Sequence, residues 1–285
     1  MKKIALLLVL SVAIFGVSCG KFLENDIEAT TKRDEQDIVA YVSKNNLQMT
    51  KTQTGIYYAI TKSSSGKNVQ LSDEVTLHFV ISLLNGIKTD STSRLKNEPL
   101  KLIYGGFPII QGLAESISLL KNGEKGTFIL PSALAFGSQA SANIPANSVL
   151  RIDLELTKVR SESDQIDEYV TATKIPVTEI TATGLRFLRT VTTNGTPLKA
   201  GMIATVKYTG YLASNTLQFD SGQIDVNLGS GAVVKGFEEG ILKMKVGEIA
   251  SLVFPSALGY GNTGSGTKIP PYAPLIFRVE IVSAK

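Results

Sequence analysis

The chain predicts an α+β fold in which one module occurs twice in tandem, each copy a curved antiparallel sheet with one short helix packed across it. Three observations carry the prediction. The sequence repeats itself at a spacing of about 125 residues, too long for a solenoid and right for tandem domains. Stretches such as "VTLHFVISL" (75–83) and "ATVKYTGYL" (204–212) alternate in polarity, as half-buried strands do. Each copy also holds one segment with apolar residues at i, i+4 and i+7, which places them on one face of a short helix. These are Leu113, Ile117 and Leu120 in the first copy, and Phe237, Ile241 and Met244 in the second.

Residues 1–18 read as a cleaved export signal: two lysines, an apolar run from Ile4 to Val17, then small residues. That run is short for a membrane span. "GVSC" resembles the bacterial lipobox, which makes Cys19 the expected lipidation site. The cysteine is the only one in the chain, so the domains are expected to hold without disulfides. Residues 19–36 are polar and read as a lipidated tether. Once Lys2 and Lys3 are set aside, 27 of the 29 basic residues face 25 acidic ones, about +2, which argues against nucleic-acid binding.

The first module is expected over 37–160 and the second over 161–285. "DIVAYVSKNNLQMTKTQTGIYYAI" (37–60) parallels "QIDEYVTATKIPVTEITATGLRFL" (165–188), a helix giving way to a strand after "TG". The short helical segments sit in "PIIQGLAESISLLKNGEKGTFILPSALAFG" (108–137) and "AVVKGFEEGILKMKVGEIASLVFPSALGYG" (232–261), and the glycines of "NGE" and "VGE" are expected to end the helices. Each copy closes with an Ile-Pro turn and a last strand, "LRIDLEL" (150–156) or "LIFRVEI" (275–281). "VRSESDQ" (159–165) reads as the junction.

Several chemistries find no residues. His78 is the only histidine and lies on an alternating strand, so no Ser–His–acid set can form in the second copy. No cluster has zinc-ligand composition, and neither metal nor cofactor is expected. Glu238–Glu239 and Asp34–Glu35–Asp37 lie near helix starts, where they are expected to complement the dipole and face water. "GNTGSG" (261–266) is followed by neither Lys-Ser/Thr nor a helix, and reads as a flap rather than a phosphate loop.

The motifs "VKYTGYL", "FDSG", "VVKGFEEGILKMKVGE", "PSALGYG" and "IPPYAPLIF", in this order from about Gly201 to Val282, resemble the FKBP-type peptidyl-prolyl cis-trans isomerases. The resemblance implies a proline pocket. Tyr208, Phe219, Asp220, Phe237, Tyr260, Ile269 and Phe277 are its implied catalytic set, with Val226, Val233 and Val234 in contact with substrate. Two departures stand out: Phe237 replaces a family tryptophan, and the stretch after Asp220 is short and lacks the usual arginine. The first copy matches less well, over about Ser72 to Val159. Its corresponding residues are Phe79, Thr89, Asp90, Leu102, Ile109, Ile110, Leu113, Phe136, Ile144 and Ile152. Its activity is expected to be weak or absent.

The FKBP resemblance implies isomerisation of Xaa-Pro bonds in proline-containing polypeptides. With the export signal and the lipobox resemblance, the substrates are expected to be exported proteins and the protein to be lipid-anchored to a membrane of the bacterial cell envelope. Resonance sets a rotational barrier of about 18–20 kcal/mol. No bond is made or broken, so neither nucleophile nor metal is required. An apolar, water-excluding site disfavours the planar, charge-separated amide relative to the twisted one. Two other readings remain open: a chaperone or docking lipoprotein that holds peptides without turnover, and a purely structural tandem lipoprotein.

Overall fold

A computed structural model describes residues 26–141 and 143–285. Residues 1–18, expected to be an export signal, and Cys19, the expected lipidation site, lie outside the described residues. The chain divides into two compact units, one of Met1–Asn68, Leu77–Leu100 and Ile109–Thr157, the other of Val69–Thr76, Lys101–Pro108 and Lys158–Lys285.

The first repeat contains helix α1 (26–44), then β1 (Thr50–Lys51), β2 (Tyr57–Lys62), β3 (Glu74–Leu83), β4 (Lys88–Ser91), β5 (Leu100–Ile103), α2 (Gln111–Ser118), β6 (Lys125–Leu130) and β7 (Leu150–Arg160). Its sheet has the order β1-β2-β6-β7-β3-β4, with β5 also on β3. The second repeat contains α3 (Glu162–Thr173), β8 (Glu179–Ile180), β9 (Arg186–Val191), β10 (Ile203–Leu212), β11 (Gln218–Asn227), α4 (Lys235–Ile241), β12 (Ile249–Phe254) and β13 (Leu275–Ala284). Its order is β11-β10-β13-β12-β9-β8. The expected α+β architecture is therefore present twice, as antiparallel sheets of seven and six strands with short helices.

In the second repeat α4 crosses the sheet at close range because glycines face it. A Cβ at Gly236 would stand 2.5 Å from the Phe254 ring, and one at Gly240 would stand 2.4 Å from Leu252. The expected apolar face is buried, but part of it is not helical. α2 ends at Ser118 and α4 at Ile241, so Leu120 and Met244 fill the core from the following turns. Gly123 and Gly247 lie in those turns, both with positive φ, and do not cap the helices.

Two further segments carry secondary structure that the sequence reading did not assign to them. α1 already runs through 26–36, the stretch read as a tether. Within it Asp34, expected near a helix start and facing water, is instead inside the helix and 1% exposed, its Oδ2 accepting the Ser132 amide (2.8 Å) and hydroxyl (2.5 Å). The junction 159–165 is structured as well. β7 continues to Arg160, and Ser161 caps α3 in a capping box with Asp164. Glu162, one residue later, repeats the contact made by Asp34: its carboxylate accepts the Ser256 amide (2.6 Å) and hydroxyl (2.8 Å). In each repeat the leading helix thus clamps the single 3₁₀ turn of "PSAL" (Ser132–Leu134, Ser256–Leu258). Asp34→Ala or Glu162→Ala, read by urea unfolding of the full chain, is expected to cost about 2–3 kcal/mol, the range for charged acceptors whose donors are left buried.

Candidate functional site

The second repeat brings four rings together. Phe219 sits on β11, Phe237 on α4, Phe277 on β13 and Tyr208 on β10. Phe277 is the hub, with ring centroids 5.1 Å from Phe237, 5.5 Å from Phe219, 6.1 Å from Tyr208 and 5.9 Å from Phe254. The Phe219 and Phe237 contacts are edge-to-face, the geometry that aromatic quadrupoles favour. The four rings border a cavity of ≈ 370 Å³, also lined by Asp220, Ile224, Ala232, Val233, Val234 and Tyr260. That volume, with apolar side chains at seven of the ten lining positions, fits a small ligand group.

Phe219 reaches this place by two local devices. The β10–β11 register slips between Gly210 and Tyr211, so Phe219 is the extra residue of a β-bulge. Its ring then lies over Gly210, where a Cβ would stand 2.5 Å from the Phe219 ring and 3.1 Å from Phe277. Phe219 needs that glycine.

Polar groups are few. The Tyr208 hydroxyl donates to Asp220 Oδ2 at 2.8 Å, while Asp220 Oδ1 accepts the Ser221 amide at 2.9 Å. Both carboxylate oxygens are thus engaged in orienting β11 and Tyr208. Burial, then the bond to Asp220, pushes the Tyr208 hydroxyl above its ordinary pKa. The Tyr260 hydroxyl makes no side-chain hydrogen bond with any described residue, and Tyr260 lines the cavity.

Two expected site residues are placed otherwise. Val226 and Ile269 are 2% and 5% exposed within the core, and neither lines the cavity. Ile224, two residues before Val226 on the same face of β11, takes the lining position. The Ile269 amide, expected to face substrate, donates to Ser265 O at 3.2 Å, and Ser265 N donates back to Ile269 O at 2.8 Å. "GNTGSG" is therefore folded onto Ile269. The turn beyond Ile269 depends on Tyr272, whose φ is +56° and whose amide bonds Gly261 O (2.8 Å). Of the residues the sequence reading missed, Ile224 was signalled by strand alternation, whereas Ala232, Gly210 and Phe254 carried no local signal.

The first repeat has the same framework and a different filling. Its β3–β4 register also slips, between Ile81 and Ser82, with Ile81 opposite Asp90 as Gly210 is opposite Asp220. Thr89 is the bulge residue, its hydroxyl turned back to Ile81 O at 3.2 Å. Ile81, 7% exposed, stands where the second repeat has Gly210. Glycine plus a ring has become isoleucine plus a short side chain. The other corresponding residues are packed or half-buried: Leu102, Leu113, Ile144 and Ile152 at 8%, 8%, 7% and 0% exposed, with Phe79, Ile109, Ile110 and Phe136 intermediate.

Residues 65–157 and 195–282 both match the family described as "FKBP-type peptidyl-prolyl cis-trans isomerase". The "Peptidyl-prolyl cis-trans isomerase FKBP9" of Homo sapiens is 28% identical over 217 residues, covering 75% of this chain and 35% of that protein. The "FK506-binding protein 1" of Dictyostelium discoideum is 42% identical over 90 residues, 30% of this chain and 83% of that protein. Among solved structures, the three FKBP domains of wheat FKBP73 align at a TM-score of 0.41 and 25% identity, covering 82% of this chain and 96% of that one. The chain spans about a third of the length of the FKBP9 and FKBP10 relatives it matches. With two matched segments that together take in well over half of its residues, each on its own antiparallel sheet, the chain belongs to the FKBP-type peptidyl-prolyl cis-trans isomerase family.

Proposed function

We propose that the second repeat isomerises Xaa-Pro bonds in exported proteins, that the first is weak or inactive, and that acylated Cys19 anchors the chain to an envelope membrane. The observation that supports catalysis is the ring-walled cavity of ≈ 370 Å³. Phe219, Phe237, Phe277 and Tyr208 surround a prolyl ring and exclude water. The amide preceding that ring then loses the solvation that favours its planar, polar form, and rotation becomes easier. In this reading the Tyr260 hydroxyl, which lines the cavity, donates to a substrate carbonyl.

Acceleration of a proline-limited refolding reaction by the full chain tests this reading. Tyr260→Ala is expected to lower the acceleration by about tenfold or more, the scale of one lost hydrogen bond plus lost apolar contact. Whatever remains when Tyr260 and Phe277 are both altered belongs to the first repeat and is expected to be at least about tenfold below wild type. The raised Tyr208 pKa means that its protonated form contributes stability fully present below the unfolded value and lost as pH rises through the folded one. Cys19→Ala is expected to release the protein from membranes, measured by fractionation.

The Ile269 amide, already paired with Ser265, favours one rival reading in which the cavity holds prolyl segments without turnover. Binding of an unfolded chain with no acceleration of refolding would establish that role instead.

A further inference from the structure

The terminal strands of the two sheets are unequal. β1 and β8 have two residues each, and β4 and β5 four each, whereas β11 has ten. In the first repeat residues 92–99 interrupt the strand beside β3; in the second, β11 runs unbroken from Gln218 to Asn227 along the rim of the cavity.

The ladder shows which groups this edge offers. Ile203 and Lys285 exchange both backbone bonds, and Ala213 N donates to Pro274 O, whereas Leu228 N donates to Met202 O and Leu212 N to Leu217 O. Odd residues of β10 therefore face β13, and even ones face β11. Through the register Gly210–Asp220, Tyr208–Gly222, Val206–Ile224, the residues of β11 that bond β10 are the even ones. Ser221, Gln223 and Asp225 consequently point their N–H and C=O groups away from the sheet.

The first groups of this edge are occupied. Lys268 Nζ donates to Phe219 O (3.2 Å) and Asp220 Oδ1 takes the Ser221 amide. Among the described residues nothing pairs the backbone groups of Gln223 and Asp225, and both residues are exposed. Natural edges are blunted by Pro, Lys, bulges or inward charges. β11 has no Pro, Lys or Arg, and its bulge lies only at Phe219. Its two aspartates are turned onto neighbours, Asp220 to Tyr208 and Asp225 to the Thr205 hydroxyl (2.7 Å).

We infer that the Ser221–Asp225 edge of β11 binds the extended polypeptide that flanks the substrate proline, adding it to the sheet as a further strand. This rests on the reading of the cavity as the prolyl site. The occupant is the client's own chain because β11 is continuous with that site: Phe219, Asp220 and Ile224 line it from the same strand. A prolyl ring against Phe219 places chain about four residues away beside Gln223, at about 3.4 Å per residue. Recognition is through main-chain bonds and so tolerates varied client sequences.

The test uses the full chain and two unfolded peptides with the same Xaa-Pro centre, a tetrapeptide and one of about twelve residues, long enough to pass Asp225. The longer peptide is expected to bind about tenfold more tightly by fluorescence anisotropy, as a few added backbone bonds allow. It is also expected to slow hydrogen exchange at the Gln223 and Asp225 amides. Gln223→Pro, which removes an outward amide and no ladder bond, is expected to bring the two affinities together. Equal affinities for wild type, or tighter binding with exchange at those amides unchanged, overturn the inference. Should Gln223→Pro fail to fold, the exchange measurement on wild type decides alone. Long-peptide binding with slowed exchange but no isomerisation upholds the edge and sinks the isomerase reading; isomerisation of both peptides with equal affinity does the reverse.

Discussion

Phe277→Ala is expected to abolish prolyl isomerisation by the second repeat and to destabilise that repeat by about 3–5 kcal/mol, the range for a buried phenylalanine. Phe277 is 5% exposed and touches rings from β10, β11, α4 and β12. Truncation therefore removes core volume and the shared wall of the cavity together. Urea unfolding gives the first quantity, and acceleration of proline-limited refolding, measured well below the melting temperature, gives the second. Phe277→Leu separates them. It keeps most of the volume, is expected to cost less than about 2 kcal/mol, and still removes the ring. Wild-type acceleration by that variant would show that Phe277 holds the core and not the substrate.

Gly210→Ile is expected to cost the second repeat about 3 kcal/mol or more by overpacking, since even one added carbon would stand 2.5 Å from the Phe219 ring. Adding Phe219→Thr should recover at least about 2 kcal/mol, a coupling of the size seen for residues in direct contact. The double variant reproduces the Ile81–Thr89 pair of the first repeat at the same bulge. It is expected to be folded and inactive. The converse pair, Ile81→Gly with Thr89→Phe, is expected to be tolerated where Thr89→Phe alone is not. Additive costs in the first cycle would mean that the two positions do not share one space. Denaturant titration of the four chains decides it.

Strand and helix identities were legible because each rests on a periodicity that the chain repeats twice: alternation along β3 and β10, apolar spacing in α2 and α4. The ring cluster was legible through motif order, since Phe219, Phe237 and Phe277 each sit inside a recognisable string. Three things were not. The Asp34–Ser132 and Glu162–Ser256 clamps join residues 98 and 94 positions apart, and the two acids differ in length, so no local pattern marks them. Leu120 and Met244 keep helical spacing after the helix has ended, because the following turn continues along the same apolar surface. The Ile269 amide turns toward Ser265 because of how 261–266 folds, and a string of glycines does not state its own path.

The clamps also decide where the polypeptide can be cut. Glu162 holds the turn that leads to Tyr260, and Ser161 starts the helix that carries Glu162. A C-terminal fragment beginning at Gln165, where the repeat pattern first becomes visible, would leave the Ser256 amide without its acceptor and α3 without its cap. Beginning at Arg160 keeps both, so five residues separate a sound excision from one that loosens the loop beside the cavity.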